Sequence, residues 1–360
     1  MAPNDKWMEE VRCSELSLVV LFHQMAVLFC SGLSLVEILL MKADETDDPQ
    51  LSKVIKVLVQ RLESGHSLDT SMALFPRVFS RMSQVMVRIG TETGSLAKVL
   101  EHLSLWYQRD YDLKKRFWAA ISYPVLILVV SLVMSLIIYG TVLPGLLETL
   151  DGLGVELHWT TRVVRFFSDM ASEPIWWGVF ALMGFAAYRA CRVLTKDPAF
   201  MLKGYRLALI TPLVGPLVEC FHASRYAAAV ALLIKSGTDI LKTVKLAAHS
   251  SGSPLFLDDL KELSDALIAG SLLSEHMAAN ADIYPPLLAK MAVAGEESAK
   301  LDHLFERASY IFEEEMEYRL QVLNAGLEPL LLALISAQVG FVMVSVYISV
   351  YSCLNQLNPY

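Results

Sequence analysis

Two long runs without a charged residue, 117–147 and 329–354, stand out from the alternation of apolar and polar positions along this chain. A bilayer hydrocarbon core of about 30 Å takes about 20 apolar residues in a helix that rises roughly 1.5 Å per residue. Both runs therefore predict membrane-spanning helices, the second entered from residue 322. A shorter run, 175–188, follows Pro174, opens with Trp176 and Trp177, and ends at Arg189. The tryptophans suit the headgroup level and the arginine can reach water from a helix end. This run predicts a further span over 175–191; its competing reading is a buried core helix. Elsewhere apolar residues recur at steps of three and four, as at Leu18, Leu21, Phe22, Met25, Leu28 and Phe29, or Val54, Leu58 and Leu62. That is the period of amphipathic helices, and no sustained alternation predicts a strand.

The polar segments are copies of each other. Sliding the sequence by 205 residues sets Ser31-Gly32 on Ser236-Gly237, Gly65 on Gly270, Met72-Ala73 on Met277-Ala278, Gly90 on Gly295, Leu96 on Leu301 and Pro124 on Pro329, without a gap. One constant offset over about a hundred positions marks a tandem duplication. The best local match sets residues 89–96, Ile-Gly-Thr-Glu-Thr-Gly-Ser-Leu, on residues 294–301, Ala-Gly-Glu-Glu-Ser-Ala-Lys-Leu. Ser34 followed by Glu37 has the spacing of a capping box, and its equivalent Asp239 is another good N-cap. Breaks at the paired glycines predict five or six short helices per unit, the last running into the membrane.

The expected fold is all-α: a multi-pass membrane protein with two homologous cytoplasmic helical bundles in tandem and about three transmembrane helices. The boundaries fall at 1–116 for the first bundle, 117–147 for the first span, 148–174 for a loop, 175–191 for the second span, 192–321 for the second bundle, 322–354 for the third span and 355–360 for a short tail. Charge orients it. Residues 1–116 carry 14 Lys and Arg, ending in Lys114, Lys115 and Arg116, whereas 148–174 carry only Arg162 and Arg165 among five acids. Basic residues stay on the cytoplasmic side. The N-terminus is then inside and the C-terminus outside, and residues 1–17, rich in charge, predict no cleavable signal.

With 54% hydrophobic residues the chain carries more apolar surface than one soluble domain hides. The net charge of −8 comes with no basic stripe, so nucleic acid is not an expected partner. Cys13, Cys30, Cys191, Cys220 and Cys353 are scattered without a CxxC pair, which predicts neither a disulfide framework nor a zinc site. A phosphate loop, HExxH, GxSxG and GxGxxG are all missing from the sequence, and Glu101-His102 and Glu275-His276 are adjacent and so face apart on a helix. No catalytic, cofactor or metal residues are expected, and the chain is read as no enzyme. The acidic run 313–317 reads as a solvated face or as a surface for a basic partner.

The duplicated unit, with its Ser-Gly turn, its late Gly-Glu-Glu-Ser-Ala-Lys-Leu and a proline early in the span, resembles the type II secretion system protein F family, which includes the type IV pilus platform protein. The likeness runs from about Leu18 to Tyr351. It implies a bacterial inner-membrane platform, with residues 148–174 and the C-terminus periplasmic, that couples a separate hexameric cytoplasmic assembly ATPase to polymerisation of pilin or pseudopilin subunits. Other inner-membrane assembly proteins, membrane lipid and further copies of the chain are the remaining implied partners. The alternative is an oligomeric transporter built from parallel repeats. Carried onto this sequence, the motif falls on Gly90, Glu92, Gly94 and Leu96 in the first unit, with Thr91 where the glutamate is usual. In the second it falls on Gly295, Glu296 and Leu301, with Ala299 where glycine is usual. Gly32, Gly65, Gly237, Gly270, Pro124 and Pro329 complete the set. Two readings of these residues stand: turns and caps, with the glutamate capping the next helix, or exposed turns that dock the ATPase.

Overall fold

The computed structural model describes residues 5–142, 144, 145, 148, 162, 163, 165, 166, 168, 169, 189, 198–211 and 215–357. The loop and span expected over 148–191 lie outside the described residues but for isolated positions. The described residues are helical and contain no strand.

The first repeat comprises α1 (Asp5–Glu10), α2 (Glu15–Cys30), α3 (Leu35–Glu45), α4 (Pro49–Glu63), α5 (Leu68–Met72), α6 (Arg81–Glu92) and α7 (Leu96–Ile137), which gives way to a π turn at Ile138–Val142. Then come α8 (Pro198–Ile210) and the second repeat: α9 (Gly215–Lys235), α10 (Ile240–Ser251), α11 (Pro254–Asp258), α12 (Leu260–Ile268), α13 (Leu273–Ala279), α14 (Pro286–Ser298) and α15 (Leu301–Leu357). Helix starts at 35, 49, 68, 81 and 96 recur 205 residues later at 240, 254, 273, 286 and 301. One difference matters below: α4 is unbroken, while its counterpart is interrupted at Asp259, the position equivalent to Val54.

Local chemistry sets these starts. Ser34 and Glu37 form the reciprocal box, Glu37 N donating to Ser34 Oγ at 3.3 Å and Ser34 N to Glu37 Oε2 at 2.9 Å. Asp48 accepts from Gln50 N at 2.9 Å ahead of Pro49, which needs no partner for its missing N–H in the first turn. Asp239 does the same for α10, accepting from Leu241 N at 3.1 Å. Each short helix buries one stripe: α4 contributes Leu51, Val54, Ile55, Leu58 and Val59, and α6 contributes Met82, Met86 and Val87.

Contacts divide the chain into one unit of Met1–Arg116 with Leu202–Arg319 and another of Phe117–Met201 with Leu320–Tyr360. In the second unit many aliphatic residues of α7 and α15 are exposed, Leu126, Leu132, Met134, Leu330, Leu332 and Met343 among them. Surface of that kind is stable against lipid, not water. Length and apolarity alone also admit α9 as a span, but 56% of its apolar stretch is buried inside the protein, against 12% for α15. Helix α9 is therefore the core helix of the second bundle. At about 1.5 Å per residue, the 42 residues of α7 and 57 of α15 reach about 63 and 85 Å, long enough to leave a bundle and cross a bilayer as one helix. Pro329 sits within α15 and the helix continues past it. Gln338 Nε2 donates to Ser135 Oγ at 2.5 Å, a polar bond joining the two long helices.

Candidate functional site

In each repeat the penultimate bundle helix ends in a Schellman turn that reverses the chain into the long helix. Ser95 N donates to Gly90 O at 2.9 Å and Gly94 N to Thr91 O at 3.4 Å; in the second repeat Lys300 N donates to Gly295 O at 3.0 Å and Ala299 N to Glu296 O at 3.4 Å. This closure puts Gly94 at φ 67° and Ala299 at φ 54°. Ala299 is the one non-glycine at positive φ among the described residues. A left-handed L-residue costs about 1–2 kcal/mol, part of which the greater freedom of unfolded glycine offsets. Ala299→Gly is expected to stabilise the second bundle by about 1 kcal/mol, seen as a raised unfolding temperature; an unchanged or lowered one contradicts this account.

Gly90 and Gly295 are required by close approach. A Cβ on Gly295 would stand 2.7 Å from Leu301 Cδ2 and 3.0 Å from Leu301 Cα, and one on Gly90 would stand 2.9 Å from Val99 Cγ2 and 3.1 Å from Leu96 Cα. Each glycine lets a helix end close onto the first residue of the long helix, Leu96 or Leu301.

Glu296 works across the bundle. Its carboxylate accepts from Leu273 N at 2.8 Å and Ser274 N at 3.3 Å, the free donors in the first turn of α13. The sequence placed this cap on the next helix; the structure places it on an earlier one, because α14 carries the chain back past the start of α13. Thr91 at the aligned position bonds within its own helix, donating to Val87 O at 2.8 Å, and Glu92 beside it is exposed. In that repeat Asp69, in the first turn of α5, instead holds Arg88 Nε at 2.8 Å. The other motif positions do not converge with these: Gly32, Gly65, Gly237 and Gly270 follow α2, α4, α9 and α12, and Pro124 and Pro329 lie within α7 and α15.

Within the unit of Met1–Arg116 and Leu202–Arg319, the two repeats meet through charges that the motif did not mark. Asp110 Oδ1 lies 2.6 Å from Arg225 Nε, an ionic contact whose N–H points off the line to the oxygen. Asp110 also holds Lys114 at 2.9 Å, and Lys114 reaches Glu15 at 2.7 Å. The Arg109 guanidinium stands 4.3 Å from the centre of the Tyr310 ring. The acidic run is only partly the solvated face its composition suggests. Glu317 pairs with Arg116, Glu315 pairs with Arg319, and burial pushes the Glu313 carboxyl up while the Arg109 cation opposes that shift. Glu314 alone of the four is exposed.

The second bundle also has a polar core that sequence reading missed. The buried Asp259 Oδ2 accepts from Tyr284 OH at 2.7 Å and lies 2.9 Å from His276 Nε2, with Asn280 Nδ2 3.2 Å from the same ring nitrogen. Phe256 stacks on Tyr284 at 5.2 Å between centroids. Burial drives the Tyr284 hydroxyl far above its usual range. The positions equivalent to Asp259, His276, Asn280 and Tyr284 are Val54, Ser71, Phe75 and Phe79, so the first bundle fills this space with three apolar side chains and a serine that bonds back to Ser67 O. The signal was present in the offset comparison as four positions where apolar residues and serine face polar ones. His276 and Asp259 pair at 2.9 Å, and the carboxylate is closed off from solvent. Among the described residues no three His, Cys, Asp or Glu side chains are grouped to hold a metal.

Comparison with known proteins accounts for the duplication. The family model described as "Type II secretion system (T2SS), protein F" matches residues 21–144 and again residues 226–349, windows that begin and end 205 residues apart. The chain is 24% identical over 330 residues to the type IV pilus assembly protein PilC of Pseudomonas aeruginosa, covering 91% of this chain and 87% of that one. It is 25% identical over 345 residues to the type II secretion system protein F of Aeromonas hydrophila, covering 96% and 88%. Against PilC of Thermus thermophilus it is 23% identical over 344 residues, covering 95% and 83%.

Proposed function

We propose, from the premise that this chain belongs to the type II secretion system protein F family, that it is the non-enzymatic inner-membrane platform of a type IV pilus or type II secretion machine. In this reading it couples a hexameric cytoplasmic assembly ATPase to polymerisation of pilin or pseudopilin subunits, acting as a self-associated scaffold beside other inner-membrane assembly proteins. The three spans run over 117–147, 175–191 and 322–354, with the bundles cytoplasmic and residues 148–174 and 355–360 periplasmic.

One observation supports the mechanical part of the reading: the last helix of each bundle runs on without a break into a long apolar stretch, α7 over Leu96–Ile137 and α15 over Leu301–Leu357. The turns at Gly90–Leu96 and Gly295–Leu301 lock that helix onto its bundle by backbone closure, and Glu296 ties the second turn to α13. A force applied to a bundle therefore passes into the bilayer along a hydrogen-bonded helix with no loop between. Glu296 is occupied by its cap, so its place in this scheme is to stiffen the turn; the neighbouring exposed Glu297 is left for a partner. The test is affinity capture of the detergent-solubilised chain from its host with mass spectrometry of what stays bound. Recovery of an assembly ATPase with pilin-like subunits is expected, and an intact complex that lacks both overturns the reading.

A further inference from the structure

The two repeats cover each other on one side only. In the second repeat, α9 offers Arg225, Ala228 and Leu232 to α7 of the first repeat, and α10, which carries Leu246, packs against α6. Asp110 meets Arg225 there, Trp106 and Leu113 share a cleft with Ser224 and Ala228, and Ser250 Oγ comes within 3.6 Å of Met82 Sδ. Leu246 is left 8% exposed. The 205-residue offset maps this face onto α2 and α3 as Val20, His23, Val27 and Met41. These stay open: Val20 is 44%, Val27 52% and Met41 46% exposed, and His23 is exposed. Three apolar side chains on adjoining helices form the kind of patch that soluble surfaces seldom leave bare.

The covering side is also left over. The offset carries Met82, Trp106, Arg109 and Leu113 onto Leu287, Ile311, Glu314 and Tyr318 of α14 and α15. Leu113 is 6% exposed in its place, but Tyr318 is 67% exposed. Glu314 is exposed as well, while Leu287 and Ile311 are half-buried, so one molecule carries an internal interface together with an open copy of one half and a partly open copy of the other.

We propose that the α2–α3 face binds the α14–α15 face of a second copy of this chain, repeating between molecules the packing that joins the repeats within one. The occupant follows from the interface already present: its own surface is matched by the equivalent surface of the other repeat, and only another molecule can supply it at this place. The side chains agree. Val20 and Val27 replace Arg225 and Leu232, and Ile311 and Tyr318 come against them where Trp106 and Leu113 lie inside the chain. Glu314 replaces Arg109 and falls beside His23, which replaces Ala228, so a carboxylate comes beside an imidazole whose Nδ1 lies 3.4 Å from Ser104 Oγ of its own chain. An interface between two different surfaces is heterologous and builds a ring or an open row. The inference rests on the self-association read above and not on which machine the chain serves.

Cysteine crosslinking of the full chain in its membrane tests it. The pair Asp110–Arg225 maps onto Glu315–Val20, so Val20→Cys and Glu315→Cys are placed in separate copies in which the five native cysteines are replaced by serine. A short bismaleimide is expected to give a band of twice the chain mass only when both copies are co-expressed. Asp110→Cys with Arg225→Cys in one chain is expected to link without doubling the mass. Val27→Asp is expected to lower the doubled band at least tenfold. A native oligomer with no Val20–Glu315 crosslink, or one untouched by Val27→Asp, overturns the surface while leaving self-association intact. A chain that is monomeric in its membrane overturns both, and capture at Val20→Cys of a different protein assigns the face to that protein and overturns the proposal.

Discussion

Replacing Asp259 with valine lowers the stability of the second bundle by about 2–6 kcal/mol, the loss expected when two buried donors are left without their acceptor at about 1–3 kcal/mol each. The Tyr284 hydroxyl and His276 ring lose their shared acceptor at 2.7 and 2.9 Å, and a buried donor left unpaired carries its full desolvation cost. The duplication supplies the rescue. Changing all four positions to the residues of the first repeat, with Asp259→Val, His276→Ser, Asn280→Phe and Tyr284→Phe, replaces the polar set by the hydrocarbon that Val54, Phe75 and Phe79 provide in the same fold. It is expected to recover more than half of the loss, since an apolar set of matched shape often equals a buried polar one. Hydrogen exchange of α12 and α13 amides in the full chain reads the effect, with α4 and α5 as an internal reference. A single substitution as mild as a surface change, about 0.5 kcal/mol or less, means that the network contributes little.

Gly295→Val costs about 2–4 kcal/mol, combining the strain of an overpacked contact with a lost helix cap. The new Cβ lands 2.7 Å from Leu301 Cδ2 and 3.0 Å from its Cα, so the turn must open, and opening it carries Glu296 away from the Leu273 and Ser274 N–H groups. Gly90→Val meets a similar clash with Val99 and Leu96 but frees no such cap, because Thr91 bonds within its own helix. It is expected to cost about 1 kcal/mol less than Gly295→Val. Adding Leu301→Ala to Gly295→Val removes the nearer clash and leaves the backbone one, so partial recovery is expected. Urea titration of the full chain in micelles ranks the three variants; a Gly295→Val protein as stable as the parent rules out close approach as the reason for glycine.

The repeated helix starts at 35 and 240 were legible in the sequence because caps and turns are local: Ser34 with Glu37, and Asp239, act within four residues of themselves. The all-α fold and the two long apolar runs were legible for the same reason, as period and length need no tertiary information. Length and apolarity alone admit α9 as a span, whereas the 205-residue offset assigns it to the second bundle. Burial inside a bundle and burial in lipid ask for the same side chains, and in the structure Ala223, Tyr226, Ala227 and Val230 of α9 are buried inside the protein.

The sequence by itself determined that one helical unit occurs twice, that each copy ends in a glycine turn feeding an apolar helix, and that two long runs carry no charge. These follow from spacing, composition and offset, which are written along the chain. Only the tertiary structure decided that Glu296 serves α13, that Asp110 holds Arg225, that Asp259 turns inward to His276 and Tyr284, and that one face of the first repeat is left open. Each of those depends on which residues the chain brings together from 17 to 115 positions apart, a distance over which no local period carries information.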